Sequence, residues 1–270
     1  MALIKDITDC STYSVRGLDD QLIAQMNKIR PNLLVRMDDL NVSLGQAVHP
    51  WVQPAVREGL AKAIATRGKR MTINSALRTL AGQMLLYQHC QSKRCGISAA
   101  AKPGKSNHNN GSAIDIEDSA GWRLALHASG WRWIGAFDQM HYDFVGGGLT
   151  SIHEVSVKAF QQLWSISRPG DKIDDDGDLG QATFSRLAYA PAEGFSGLDL
   201  PRILKLTQPV QVGDDIGELQ LALRKAGIKV EVADKVFGES TENAVKEFQS
   251  VNKLVPDGIV GRGTLKALGL

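Results

Sequence analysis

Hydrophobic residues recur at helical spacing near the start of the chain. Leu18, Leu22, Ile23, Met26 and Ile29 share one face, and Pro31 ends the pattern. Pro54 suits the first turn of a second helix, whose apolar face holds Val56, Leu60 and Ile64 and which stops at Gly68. This first block therefore reads as helical, with helices that pack onto a core. From about Lys69 the period changes. Met71 and Ile73 alternate as in a strand, and Thr79 can cap a helix through Leu80, Met84 and Tyr87. Ala99 to Asn107 is a loop of small residues, and Ser112 to Ile116 is a strand with Ala113 and Asp115 on one face. Ser119 can cap a helix running through His127, with Gly130 closing it. Trp131–Ile134 and Met140–Val145 read as a final strand pair before the Gly146-Gly147-Gly148 break. Helices mixed with short strands predict an α+β fold, with a small central antiparallel sheet and flanking helices.

Beyond Gly148 the chain repeats itself. Val157-Lys158-Ala159-Phe160-Gln161 matches Val245-Lys246-Glu247-Phe248-Gln249. A turn of the form Asp-x-x-x-Gly-x-x-Thr occurs at Asp176, Gly180 and Thr183, at Asp234, Gly238 and Thr241, and at Asp257, Gly261 and Thr264. Repeated turn-plus-helix units predict small α-helical modules that build a core by stacking. The expected boundaries are residues 1–148 for a first domain with its main body at 69–148, 149–194 for a partial repeat, 195–208 for a Gly- and Pro-bearing linker, and 209–270 for a complete repeat domain.

Composition narrows the function classes. The 270 residues carry 31 basic and 29 acidic side chains, a balance that does not predict nucleic-acid binding. No apolar run approaches the roughly 20 residues of a membrane span. Met1 to Cys10 lacks a basic patch followed by an apolar stretch, so it does not read as a secretory signal. Three cysteines, Cys10, Cys90 and Cys95, argue against a dense disulfide framework, and Cys90 could reach Cys95 only if its helix ends between them.

The segment Ser106-Asn107-His108-Asn109-Asn110-Gly111-Ser112-Ala113-Ile114-Asp115 places a His and an Asp around a Gly, with an apolar strand about the Asp. Asp138-Gln139-Met140-His141 adds a second His and a further carboxylate. Two His and one carboxylate suffice to hold a catalytic zinc and leave a position for water. The chemistry then needs another carboxylate as general base, and Asp138 is placed for it. His49, His89, His127 and His153 stand outside any such pattern and are expected to be structural. The acidic run Asp171 to Asp178 suggests calcium, but an EF-hand loop needs Gly sixth and Glu twelfth, and Asp176 and Ala182 stand there, so a solvated turn is expected.

These motifs resemble those of the VanY-type D-alanyl-D-alanine carboxypeptidases and the related L-alanyl-D-glutamate peptidases. Ser106-x-His108-x-x-Gly111-x-Ala113-x-Asp115 is similar to that family's zinc signature, Ser75-Ala76-Leu77-Arg78 with Gln83 and Leu86-Tyr87 to its upstream segment, and Asp138-x-x-His141 to its downstream one. The resemblance implies Zn²⁺ on His108, Asp115 and His141, Asp138 as base, and Arg78 as the cation facing a substrate carboxylate or developing oxyanion. Gln83 and Ser106 carry over as substrate-binding residues or as residues that shape the site. The carboxypeptidases commonly have Glu where Asp138 stands, which tilts the expectation toward an endopeptidase. The C-terminal repeats resemble the peptidoglycan-binding domain of wall hydrolases.

Together these readings predict a monomeric, zinc-dependent peptidoglycan peptidase that acts at the bacterial cell wall and reaches it by phage lysis or dedicated export. The alternatives are a non-catalytic wall-binding protein and a zinc peptidase for a non-wall peptide.

Overall fold

The computed structural model describes residues 2–198 and 202–270. After two short 3-10 turns, Ile4–Asp6 and Thr12–Val15, the elements run α1 (Arg16–Ile29), β1 (Val35–Arg36), β2 (Val42–Leu44), β3 (Trp51–Val52), α2 (Pro54–Arg67), β4 (Met71–Ser75) and α3 (Leu80–Gln91). A 3-10 turn at Asn107–Asn110 leads into β5 (Ala113–Ile116), α4 (Ser119–His127), β6 (Trp131–Trp133) and β7 (His141–Phe144). Helices complete the chain: α5 (His153–Ser167), α6 (Gln181–Ala188), α7 (Asp214–Lys225), α8 (Glu239–Val251) and α9 (Arg262–Leu268).

Strands β2-β4-β5-β7-β6 form one sheet, antiparallel except for the parallel β2–β4 edge, and β1 pairs with β3 apart from it. The first block is therefore not wholly helical. Its strands are two or three residues long, too short for alternation to show in the sequence. The pleat sorts the sheet's residues. Met71, Ile73, Ile114, Ile116, Tyr142 and Phe144 are buried with Val56, Leu60 and Ile64 of α2 and with Trp122 and Leu126 of α4. Alternation turns Asp115, His141 and Asp143 to the opposite face. The expected caps hold at Thr79, whose hydroxyl accepts from the amides of Ala81 and Gly82, and at Gly68, which ends α2 at φ 66°. Ser119 is not a cap. It is the first residue of α4, and its hydroxyl donates to the Gln139 carbonyl.

A second core is helical. Leu18, Leu22 and Met26 of α1 pack with Leu80 and Met84 of α3 and with Phe160, Leu163 and Trp164 of α5. The approach is close enough that a Cβ on Gly17 would lie 2.1 Å from the Glu193 carbonyl oxygen, so no larger residue fits there. A third core joins Leu204, Ile216, Leu219, Phe237, Val245 and Phe248. Of the expected linker 195–208, residues 199–201 lie outside the described residues, Phe195 is buried in the helical core and Leu204 in the third.

The repeated turns share one buried clasp. The side-chain nitrogens of Gln161, Gln220 and Gln249 lie 2.8, 2.9 and 2.9 Å from Asp176, Asp234 and Asp257, and next to the hydroxyls of Thr183, Thr241 and Thr264. Each Gln oxygen accepts a turn amide, from Gly177, Lys235 and Gly258. The acidic run is engaged in the same manner: Asp176 by Gln161, Asp175 by Gln162 and Asp171 by Arg186.

Cys95 is bonded to Cys10, not to Cys90, which is free. α3 continues past Cys90 and holds it on the helix, and left-handed residues at Lys93 and Cys95 turn the chain back. His89 donates to the Asp9 carbonyl at 3.0 Å, which docks the N-terminal segment on α3 and brings the Cα atoms of Cys10 and Cys95 to 5.4 Å. The bridge closes a loop of 85 residues. Cys10→Ser should therefore lower unfolding free energy by about 2–4 kcal/mol in denaturant titrations under oxidising conditions. Cys90→Ser should leave the midpoint unchanged.

Candidate metal centre

Ser75, Asp115 and His141 form a row across three strands, because Ser75 pairs with Asp115 in the β4–β5 register and Asp115 with His141 in the β5–β7 register. A bulge between Ile73 and Ser75 adjusts the end of β4. His108 reaches this row from the 3-10 turn. Ser106 caps that turn by accepting the His108 amide, and Gly111 closes it at φ 61°, where a side chain would also press on Leu77. The turn is tied to the next segment, since the Arg78 amide donates to the His108 carbonyl and Asn109 donates to the Arg78 carbonyl.

The three sequence-predicted ligands converge. His108 Nε2 lies 3.2 Å from His141 Nδ1, His141 Nδ1 lies 3.0 Å from Asp115 Oδ1, and His108 Nε2 lies 3.4 Å from Asp115 Oδ2. Ligands about 2.0–2.1 Å from a tetrahedral zinc are separated by roughly 3.3–3.4 Å along each edge. The set fits that ion in spacing and in chemistry. The outer nitrogens fit it as well. His108 Nδ1 donates to the Ala76 carbonyl at 2.8 Å, and His141 Nε2 donates to Asp143 at 3.0 Å, so each ring can turn a lone pair inward. Among the described residues these are the only three His, Cys, Asp or Glu side chains grouped closely enough to share an ion.

Asp143 was visible in the sequence only as a nearby carboxylate. Its place on β7, two residues from His141 on the same face, makes it the partner of that ring, and Asn107 donates to it at 2.8 Å. A second carboxylate at i+2 from a strand histidine was the signal for this role. Burial pulls the His141 pKa down, but hydrogen bonds to Asp115 and Asp143 overcome it and raise the value to about 9. Burial pushes the Asp115 carboxyl up, yet His108 and His141 hold it well below the usual range.

The remaining predicted residues surround this group differently. Arg78 is half-buried and hydrogen-bonds to two neutral groups, Gln83 Oε1 at 3.1 Å and Ser75 Oγ at 3.0 Å, while Asp115 and Asp19 lie within its electrostatic reach. Gln83 is buried and also donates to the Ala101 carbonyl, which fixes both Arg78 and the loop before His108. Ser106 is the cap described above. Asp138 lies on the exposed turn before β7; the His141 amide donates to its carbonyl at 3.3 Å, and its carboxylate has no hydrogen-bond or ion-pair partner among the described residues. His49 is buried against Asp19 and His89 against the Asp9 carbonyl, both structural settings.

Comparison with known proteins agrees with the ordered motifs. Residues 46–144 match the D-alanyl-D-alanine carboxypeptidase (VanY) family model, and residues 212–268 match that of a peptidoglycan binding domain. The chain is 34% identical over 115 residues to the N-acetylmuramoyl-L-alanine amidase XlyB of Bacillus subtilis, covering 40% of this chain and 35% of the relative. It is 28% identical over 141 residues to the N-acetylmuramoyl-L-alanine amidase CwlM of Mycobacterium tuberculosis, covering 50% of this chain and 32% of the relative. The matched stretches thus span about a third of each curated relative.

An ion at this centre must replace the proton that His141 Nδ1 carries below pH about 9. Zinc affinity should therefore rise about tenfold per pH unit between pH 6.5 and 8.5, measured by chelator competition. Metal-free protein should change in the opposite sense. The raised His141 pKa contributes stability that is fully present below the unfolded value near 6.5 and lost as pH climbs through about 9. An affinity that is flat across this window would reject the assignment of His141 as a ligand.

Proposed function

We propose that the chain is a zinc-dependent peptidase of the peptidoglycan stem peptide; the match of residues 46–144 to the D-alanyl-D-alanine carboxypeptidase family model and of residues 212–268 to that of a peptidoglycan binding domain supports the reading. One observation carries the reading: two imidazoles and a carboxylate meet at the edge lengths of a tetrahedral site, with the outer nitrogen of each ring anchored. A zinc ion held by His108, Asp115 and His141 would supply Lewis-acid polarisation of a carbonyl and acidify water.

The chain's own residues do the remainder. Asp138 has an unpartnered carboxylate on a turn whose backbone is fixed to His141, which suits it to take a proton from water and return it to the leaving amine. Arg78 carries a half-buried positive charge whose hydrogen bonds go to neutral groups, so its charge is available to an anionic oxygen of the substrate or of the transition state. Gln83 and Ser75 fix the plane of that guanidinium. The peptidoglycan-binding domain would hold the enzyme on its insoluble substrate, and the Cys10–Cys95 bridge suits a protein that works outside a reducing cytoplasm.

Mass spectrometry of products from defined muropeptides tests the reaction. Loss of a terminal D-alanine marks a carboxypeptidase, and release of a glycan-linked L-alanine marks an L-alanyl-D-glutamate endopeptidase. A second reading, amidase activity, comes from the names of the two relatives, and release of the intact stem peptide from the glycan would select it. Asp138→Asn should retain zinc and lose about 10²- to 10⁴-fold in kcat, the usual contribution of a general base. A variant within a few-fold of wild type would move that role elsewhere, and Asp143 is already engaged by His141.

The two units should be separable if the cut respects the helical core. Phe195 exchanges two hydrogen bonds with Gln21 and is buried, so the cut belongs after residue 198 rather than at the expected start of the linker, residue 195. Residues 1–198 should fold and cleave a small soluble muropeptide at close to the full-chain rate. On intact sacculi their rate should fall by at least tenfold, because tethering raises local enzyme concentration. Equal loss on both substrates would show that the C-terminal unit completes the catalytic fold instead.

A further inference from the structure

A cleft of about 410 Å³ lies between the segments that precede β4 and the C-terminal unit, apart from the candidate metal centre. Its two walls come from the two parts of the chain. Tyr13, Arg16, Asp20, Arg36, Asp38 and Gln46 supply one wall. Val255, Ile259, Gly261 and Gly263 supply the other. The walls approach closely, since a Cβ on Gly261 would lie 3.9 Å from the Tyr13 hydroxyl. We propose that this cleft binds a neutral saccharide, the glycan strand of peptidoglycan, and that both walls are needed to hold it. The inference rests on the wall-peptidase reading and goes beyond it in giving the glycan a site of its own, built from both parts of the chain.

The lining argues against a charged ligand. Arg16 is paired with Asp20 at 3.2 Å, and Arg36 with Asp38. Asp257, on the other wall, accepts from the Gln249 side chain and from the Ile259 amide, both at 2.9 Å. Among the described residues, each charge in the lining thus meets a counter-charge or a donor within the protein. The cleft has no spare charge to offer an anion or a cation.

Its polar groups suit a sugar ring instead. Carboxylates, guanidinium groups and the Gln46 amide are planar, with donors or acceptors set in pairs, and adjacent hydroxyl and acetamido groups of a pyranose present matching pairs. Gln46 is exposed, and its side chain has no hydrogen-bond partner among the described residues. The facing wall is apolar or bare of side chains at Val255, Ile259, Gly261 and Gly263, which suits the C–H face of the same ring. Concave sites between two structural units, with a few placed polar groups against apolar lining, are a usual setting for ligands of this kind. Position agrees with this chemistry. Val48 lines both this cleft and the cavity that contains Ala76, whose carbonyl accepts from His108. Peptidoglycan is branched, with a peptide leaving the glycan, so one repeat can reach both places around that shared wall.

The test uses the full chain and tetra-N-acetylchitotetraose, a neutral and peptide-free saccharide. A glycerol phosphate oligomer and a glycan-free stem peptide serve as competitors. Wild type should bind the saccharide in an NMR titration, and neither competitor should displace it. Gly263 allows a graded block, because it is exposed and a Cβ there would meet nothing within 4 Å. Gly263→Ala should bind within about twofold of wild type, and Gly263→Leu about tenfold more weakly, as bulk enters the cleft. Gln46→Ala, on the opposite wall, should weaken binding about threefold or more, the loss of one hydrogen bond. Melting midpoints of these variants should not fall below that of wild type. No binding, displacement by either competitor, or a loss in Gly263→Leu without one in Gln46→Ala would overturn the two-walled glycan site. Saccharide binding with the expected variant effects, but no cleavage of the stem peptide by zinc-loaded wild type, would retire the peptidase reading and leave the glycan site standing.

Discussion

The pairing of Asp115 with His141 across β5 and β7 governs the rest of the site. A slip of one residue in that register would carry Asp115 or His141 to the face now buried against α2 and α4. The apolar alternation of Ile114 and Ile116 on β5, and of Tyr142 and Phe144 on β7, forbids the slip, because it would turn the buried pair of the slipping strand outward. The hydrophobic core thus fixes the ligand geometry without touching it. Three titratable groups pressed to within about 3 Å of one another are costly to bury unless each is compensated. The compensation is local: Ala76 and Ser75 for His108, Asp143 and then Asn107 for His141.

Two cores divide the work of holding that geometry. The sheet with α2 and α4 sets Asp115 and His141, while the helical core of α1, α3 and α5 sets Arg78. They meet at the β4–α3 connection, where Thr79 caps α3 and at the same time donates to Asp19 of α1. His49 closes the same group from the other side, against Asp19 and near Asp20. A buried polar cluster of this kind contributes little net stability. Its consequence is positional, since it fixes the start of α3 and with it the direction in which Arg78 leaves the backbone.

Much of the site was legible because strand alternation is strict. Ala113 and Asp115 fall on one face by spacing alone, and Gly111 is required by the left-handed turn that aims His108. Other features left no comparable trace. β1, β2 and β3 are too short to show a period, and the parallel β2–β4 pairing depends on contacts far apart in sequence. The partner of Cys95 lies 85 residues away and is chosen by how the N-terminal turns dock on α3, which spacing arguments about Cys90 do not reach. The alternation that puts Ala113 and Asp115 on one face also puts Asp143 on the face of His141, two residues away, where it meets the outer nitrogen of that ring. Gln161 and Gln249 stand in the repeated helical segments, yet nothing in the sequence ties them or Gln220 to the Asp-x-x-x-Gly-x-x-Thr turns, because each Gln sits on a helix 8 to 15 residues upstream of the Asp that it meets.

That clasp explains why one small motif could serve two ends of the chain. A buried amide with all its groups engaged ties a helix to the turn that follows it and leaves the helix's apolar face free to choose a partner. In α7 and α8 that face builds the third core, with Leu219, Leu223, Val245 and Phe248 packed together. In α5 the same construction presents Phe160, Leu163 and Trp164 to α1 and α3, so the first repeat completes the helical core behind Arg78. The stretch that joins the two uses is anchored on both sides of residues 199–201. The Ile203 amide donates to the Glu193 carbonyl at 3.1 Å, and Arg202 hydrogen-bonds to Asp215 at 2.7 Å and to the Val212 carbonyl at 3.0 Å. Such anchoring favours a set orientation over a free tether. A peptidoglycan strand held by the C-terminal unit would then meet the face that carries His108, Asp115 and His141 in a preferred direction, an effect on geometry in addition to the effect on local concentration.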